Sequence, residues 1–162
     1  MGAVMRTQWN NRLAKLIHQP GGVKVSEAID RAAENLETLR DSCLGEIDLQ
    51  LQKIERLHAA AGQRPSPEVQ EAIYRLSNDI HGVAGMFDLP DLGAAAYSLC
   101  ELIERLRLGG RWNPAAIEVH LAAFRLFRHP EAAADERARA AVLGGLGEVV
   151  ARAPKPVDPL GN

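Results

Sequence analysis

Apolar residues recur at every third or fourth position through most of this 162-residue chain. That spacing places them along one face of an α-helix, and no stretch shows the β-branched alternation of a strand. Short turn signals interrupt the pattern at residues 62–65, 109–110 and 113–114. Pro67, Pro90 and Pro114 are each expected at the start of a helix, with Asn113 as an N-cap. Because short connections favour antiparallel neighbours, the sequence predicts an all-α fold: an antiparallel up-down four-helix bundle with additional terminal helices.

The turn signals also predict the organisation of the chain. Residues 1–22 form an N-terminal segment with room for a short helix over 9–17, residues 23–153 form the helical bundle, and the proline-containing residues 154–162 form a disordered tail. Ser26 is the expected N-cap of a long first helix that runs to Ala61. Its apolar residues recur near periods of three and four: Ile29, Ala33, Leu36, Leu39, Cys43, Ile47, Leu51, Ile54 and Leu57.

Composition excludes several classes of function. No run of 18 apolar residues is present, which argues against a membrane span, and a net charge of -2 gives no field that would attract nucleic acid. The N-terminus lacks the apolar core of a secretion signal, so we expect a cytoplasmic protein with free thiols at Cys43 and Cys100. The histidines have no metal-ligand spacing, and no nucleotide or hydrolase motif is found, so neither a metal nor a cofactor is expected.

The second predicted helix, from Glu68 to about Phe87, has an unusual polar face. At about 100° per residue, the following residues fall near one line: Glu71, Tyr74, Arg75, Asn78, His81, Gly82 and Gly85. The opposite face is apolar and should face the core: Ile73, Leu76, Ile80, Val83 and Phe87. A glycine within a helix costs about 0.5–1 kcal/mol relative to alanine, so two on an exposed line suggest that another molecule approaches the backbone there.

The segment from Asn78 to Pro90 resembles the motif of histidine phosphotransfer (HPt) domains, and the resemblance extends over roughly residues 26–129. In that family a four-helix bundle presents a phosphorylatable histidine, a basic residue three positions later and a glycine four positions later. The glycine lets a response-regulator receiver domain bring its aspartate to the imidazole. Asn78, His81 and Gly82 occupy these three positions here. Asp88 stands where the family usually has glycine.

An asparagine at the phosphoacceptor position changes what the resemblance implies. The lone pair of an amide nitrogen is delocalised into the carbonyl, so Asn78 cannot carry a phosphoryl group, although it still donates and accepts hydrogen bonds. The expected function is a signalling module, not an enzyme, that docks a receiver domain or a histidine kinase without relaying phosphate. The polar line from Glu71 to Gly85 is the expected partner-binding face.

Several alternatives remain open on the sequence. His81 could be a displaced phosphoacceptor, with Gly85 four residues later leaving room for the approach of a partner. Alternatively, the chain could be a structural protein whose long first helix pairs with a copy of itself as a homodimer. The two glycines could serve only close helix packing, and Glu71 and Arg75 could be an ordinary surface pair. Asn78 could also be an engineered replacement of a histidine.

Overall fold

The computed structural model describes residues 24–109, 111–129 and 135–154. These residues contain no strand and form five α-helices: α1 (Val25–Ala61), α2 (Pro67–Ala84), α3 (Pro90–Leu108), α4 (Pro114–Arg128) and α5 (Glu136–Arg152). The predicted all-α class is therefore confirmed. The segment predicted as a short helix, 9–17, and residues 155–162 of the predicted tail lie outside the described residues. By its internal contacts the chain divides into two units, Met1–Leu39 and Arg40–Asn162.

Most helices begin where the sequence predicts. Pro67, Pro90 and Pro114 each stand at the first position of a helix, where the missing N–H of proline leaves no bond unmade. The Asn113 side chain accepts a hydrogen bond from the backbone N–H of Ala116 at 3.1 Å, as expected of an N-cap.

Two predicted helix boundaries are wrong. Ser26 does not cap α1, because the helix already begins at Val25 and the N–H of Ala28 donates to the carbonyl of Lys24 at 2.9 Å. The second helix ends at Ala84, where the chain tightens into a single 3-10 turn, Gly85–Phe87. Gly85 therefore begins this turn and does not extend the α-helical face.

The core of the second unit is built around α3, nine residues of which are buried. This helix packs against α2, α4 and α5. Ile47 and Ile54 bring α1 into the same core, and Arg128 of α4 holds Asp48 of α1 through two hydrogen bonds of 2.6 and 2.9 Å. The other half of the α1 stripe behaves differently: Ile29, Leu36 and Leu39 are exposed. Apolar spacing identifies a face of a helix but not what covers it.

Asp88 adopts a left-handed backbone conformation, with φ 59° and ψ 33°, in the connection between α2 and α3. Glycine adopts this conformation without steric cost, aspartate tolerates it, and alanine is strained. We therefore expect Asp88→Ala to be less stable than Asp88→Gly by about 1 kcal/mol, with the native protein between them. Urea unfolding of the three proteins measures this order. Equal midpoints for the alanine and glycine variants would contradict it.

Candidate functional site

The polar line of α2 lies at the surface, as the sequence predicts for most of its members. Arg75, Asn78, His81, Gly82 and Gly85 are exposed, whereas Glu71 and Tyr74 are half-buried. On the opposite face, Ile73 and Ile80 are completely buried and three further residues are half-buried: Leu76, Val83 and Phe87. The sequence therefore oriented the helix correctly, and Asn78 stands at the middle of its solvent-facing side.

The two glycines of the line leave open space above the backbone. A methyl group added to Gly82 or Gly85 would meet no atom within 4 Å in the described part of the chain. Close helix packing is therefore not the role of this pair. That role belongs to Gly93 of α3, where an added Cβ would lie 3.4 Å from the Cβ of Ala84 and 3.7 Å from the carbonyl oxygen of His81.

The close approach at Gly93 fixes the imidazole of His81. Nδ1 of His81 lies 3.0 Å from the carbonyl oxygen of Gly93, and since a carbonyl only accepts, Nδ1 must carry the proton and donate it. The ring also lies against Tyr97, with 5.3 Å between the two centroids and a tilt of 47°. In the neutral ring, Nε2 then holds the lone pair, and it makes no hydrogen bond to a described residue. Neither contact was predicted, because both come from residues of α3.

A cavity of about 410 Å³ adjoins Asn78 on the other side of the line, between α1 and α2. Asn78, Asp79 and Gly82 line it from α2, and four residues line it from α1: Cys43, Glu46, Ile47 and Gln50. The side-chain oxygen of Gln50 is buried and has no donor among the described residues. The site thus combines an apolar floor with acidic and amide groups, next to the exposed amide of Asn78.

At the other end of the line, Glu71 joins two arginines. Its carboxylate accepts hydrogen bonds of 2.8 Å from Arg75, one turn along α2, and of 2.8 Å from Arg107 of α3. These bonds hold the pKa of Glu71 below its usual value. The predicted surface pair is confirmed, and Arg107 extends it to a link between two helices. Arg75 on the polar line and Arg107 beside it thus place two guanidinium groups at this end of the line.

Other candidate groups have structural explanations. His120 is completely buried, with Nδ1 donating to the carbonyl of Ala116 at 2.9 Å and Nε2 accepting from the hydroxyl of Ser98 at 3.0 Å. Burial lowers the pKa of His120, which keeps the ring neutral. Both cysteines are free, and burial is the main cause that raises the pKa of the Cys100 thiol to about 12, so this thiol is not a nucleophile at neutral pH.

Within the described ranges, no cluster of three His, Cys, Asp or Glu side chains is arranged to hold a metal ion. Nor does any helix there combine the length and the apolar character needed to cross a bilayer. No family model matches the chain, and no curated protein or solved structure does either. The assignment of function therefore depends on the geometry of the α2 face.

Proposed function

We propose that the chain is an HPt-like signalling module that docks a response-regulator receiver domain or a histidine kinase without relaying phosphate itself. The observation that carries this proposal is the exposed amide of Asn78 beside the bare backbone of Gly82. A partner's active site could approach this part of α2 closely, and it would meet a side chain that forms hydrogen bonds but cannot be phosphorylated.

The contacts between helices support an antiparallel up-down bundle of α1 to α4. From α2 to α3, His81 pairs with Gly93 and the thiol of Cys100 donates to the carbonyl of Tyr74, so residue numbers rise on one helix as they fall on the other. The same reversal relates α1 and α4, where Asp48 meets Arg128 and Glu55 meets Arg125. In this arrangement α2 presents its polar line at the side of the bundle, as docking requires.

The surroundings of Asn78 supply further contacts for a partner. The cavity between α1 and α2 offers an apolar floor at Ile47 and Val83 that an apolar partner side chain could fill. The arginines beside Glu71 could pair with carboxylates around the aspartate of a receiver domain. Gly82 lines that cavity, and Glu71 lies eleven residues from it on the same helix, about 16 Å along the axis.

A second candidate function is phosphotransfer through His81, and the hydrogen bond to Gly93 is the observation that favours it. With Nδ1 protonated and held, the lone pair of Nε2 can attack phosphorus in a partner's aspartyl phosphate. The new N–P bond forms as the P–O bond breaks and the carboxylate leaves. Acid-labile phosphate on His81 in the native protein would establish this second function and remove the first.

The Gly82→Arg substitution tests the docking proposal. A long side chain at this position blocks approach to the backbone but points into open space, so we expect at least a 10-fold loss of affinity, or about 1.4 kcal/mol, with helicity retained. The assay is calorimetric titration against the receiver domains and histidine kinases of the source organism, with the native chain first identifying the partner that binds.

Gly147→Arg is the matched control. Gly147 is an exposed helical glycine of α5, an added Cβ there meets no described atom within 4 Å, and α5 packs against α3 and α4 rather than the polar line. We expect this variant to bind like the native chain. Equal binding by a folded Gly82→Arg variant would show that partners dock elsewhere, and the absence of binding to any receiver domain or kinase would overturn the proposed function.

A further inference from the structure

The first unit of the chain exposes an apolar seam on α1. The seam consists of Val25, Ile29, Ala32, Leu36 and Leu39, which are separated by alternating steps of four and three residues. This is the spacing of the a and d positions of a coiled coil. The four large side chains are 76%, 61%, 66% and 56% exposed, in chain order. An apolar stripe of this kind on the surface of a protein marks a contact with another protein.

The charged residues in this part of α1 lie on other faces of the helix than the seam. At about 100° per residue, its five members fall within about 40° of one line, and the charged side chains between residues 24 and 39 all lie more than about 90° from that line. They are Lys24, Glu27, Asp30, Arg31, Glu34 and Glu37. Glu27 and Arg31 already pair with each other at 2.6 Å. The residues that border the seam are small or uncharged: Ala28, Ala33 and Asn35.

We propose that this seam pairs antiparallel with the same seam of a second copy of the chain. Over residues 24–39 a copy would meet no like charge, because the charged residues of both helices face away from the contact. Arg40, about 60° from the line, would lie opposite Ala28 of the copy. The sizes of the seam side chains also match between two antiparallel copies. When Ala32 of one copy lies opposite Leu36 of the other, each small residue faces a large one and Ile29 faces Leu39.

The residues that test this pairing are different from those that test the docking face on α2. The seam lies within Met1–Leu39, whereas the polar line of α2 belongs to the other unit. Loss of the dimer and loss of partner binding can be measured separately, so the failure of one proposal does not conceal the failure of the other.

The test is the mass of the full-length chain in solution by sedimentation equilibrium. We expect a dimer for the native protein at micromolar concentrations and a monomer for Leu36→Glu/Leu39→Glu. Leu49→Glu is the matched control, since Leu49 is an exposed leucine of the same helix, 49% exposed, that lies off the seam. This control should remain a dimer, and far-UV circular dichroism should show all three proteins folded.

A milder variant covers the case in which two glutamates unfold α1. Leu36→Ala/Leu39→Ala keeps good helix formers and removes only apolar area, so we expect the dissociation constant of the dimer to rise about 100-fold or more. The proposal would be overturned by a native chain that stays monomeric at about 100 μM. An alanine variant that dimerises as tightly as the native chain would overturn it as well.

The antiparallel orientation of the two α1 helices can be measured separately. In the antiparallel register, Val25 lies opposite Cys43 of the copy, so mild oxidation of Val25→Cys should give a covalent dimer whose disulfide joins the introduced thiol to Cys43. A disulfide between the two Cys43 residues of the native dimer would instead show a parallel pair and overturn the antiparallel pairing.

Discussion

Asn78→His combined with His81→Arg is expected to take up a phosphoryl group from a partner that the native chain binds without being labelled. The histidine places a nucleophilic nitrogen on the exposed line of α2, four residues before the bare backbone of Gly82. Arginine at position 81 supplies a permanent positive charge for the phosphoryl oxygens, whereas the neutral form of an imidazole supplies none. Radiolabel transfer from the phosphorylated partner measures the gain.

Asn78→His alone is the informative comparison. Its transfer should be slower than that of the double variant, because His81 stays bound through Nδ1 to Gly93 and is a weaker cation than arginine. Since Asn78 is exposed, the fold should lose no more than about 0.5 kcal/mol. If the double variant binds the phosphodonor and still remains unlabelled, position 78 does not correspond to the phosphoacceptor of HPt domains.

Ile80→Asp is expected to unfold the second unit. Ile80 is completely buried in the core on the face of α2 opposite the polar line. A carboxylate there loses its hydration without gaining a partner, and the apolar contacts of isoleucine are lost as well, so the cost should exceed about 4 kcal/mol. A cost of that size approaches the whole stability of a marginal domain, since domains have unfolding free energies of about 5–15 kcal/mol. Far-UV circular dichroism and urea unfolding measure the loss.

Asn78→Asp provides the control for this result, because it introduces the same carboxylate two residues earlier on the exposed side of the helix. Its unfolding free energy should stay within about 0.5 kcal/mol of the native value. A cooperative unfolding transition of near-native stability for Ile80→Asp would mean that the apolar face of α2 does not form the core.

The sequence predicted the features that depend on neighbouring residues. Proline at the first turn of a helix, the cap at Asn113 and the orientation of α2 all follow from local backbone chemistry and from the 3.6-residue period. These signals placed Ile80 inside and Asn78 outside, and the burial of the two residues confirms it. Local signals alone were therefore enough to identify the candidate docking face, without knowledge of how the helices pack.

The contacts that residues of other helices make with α2 and α1 are known only from the tertiary structure. The bond that fixes His81 comes from a carbonyl twelve residues away, and the close approach at Gly93, rather than at Gly82 or Gly85, brings that carbonyl within reach. The division of the α1 stripe into a buried half at Ile47 and Ile54 and an exposed half at Leu36 and Leu39 is of the same kind. Periodicity gives each helix an apolar face, but whether that face is covered depends on elements distant in the chain, and no local signal reports their position.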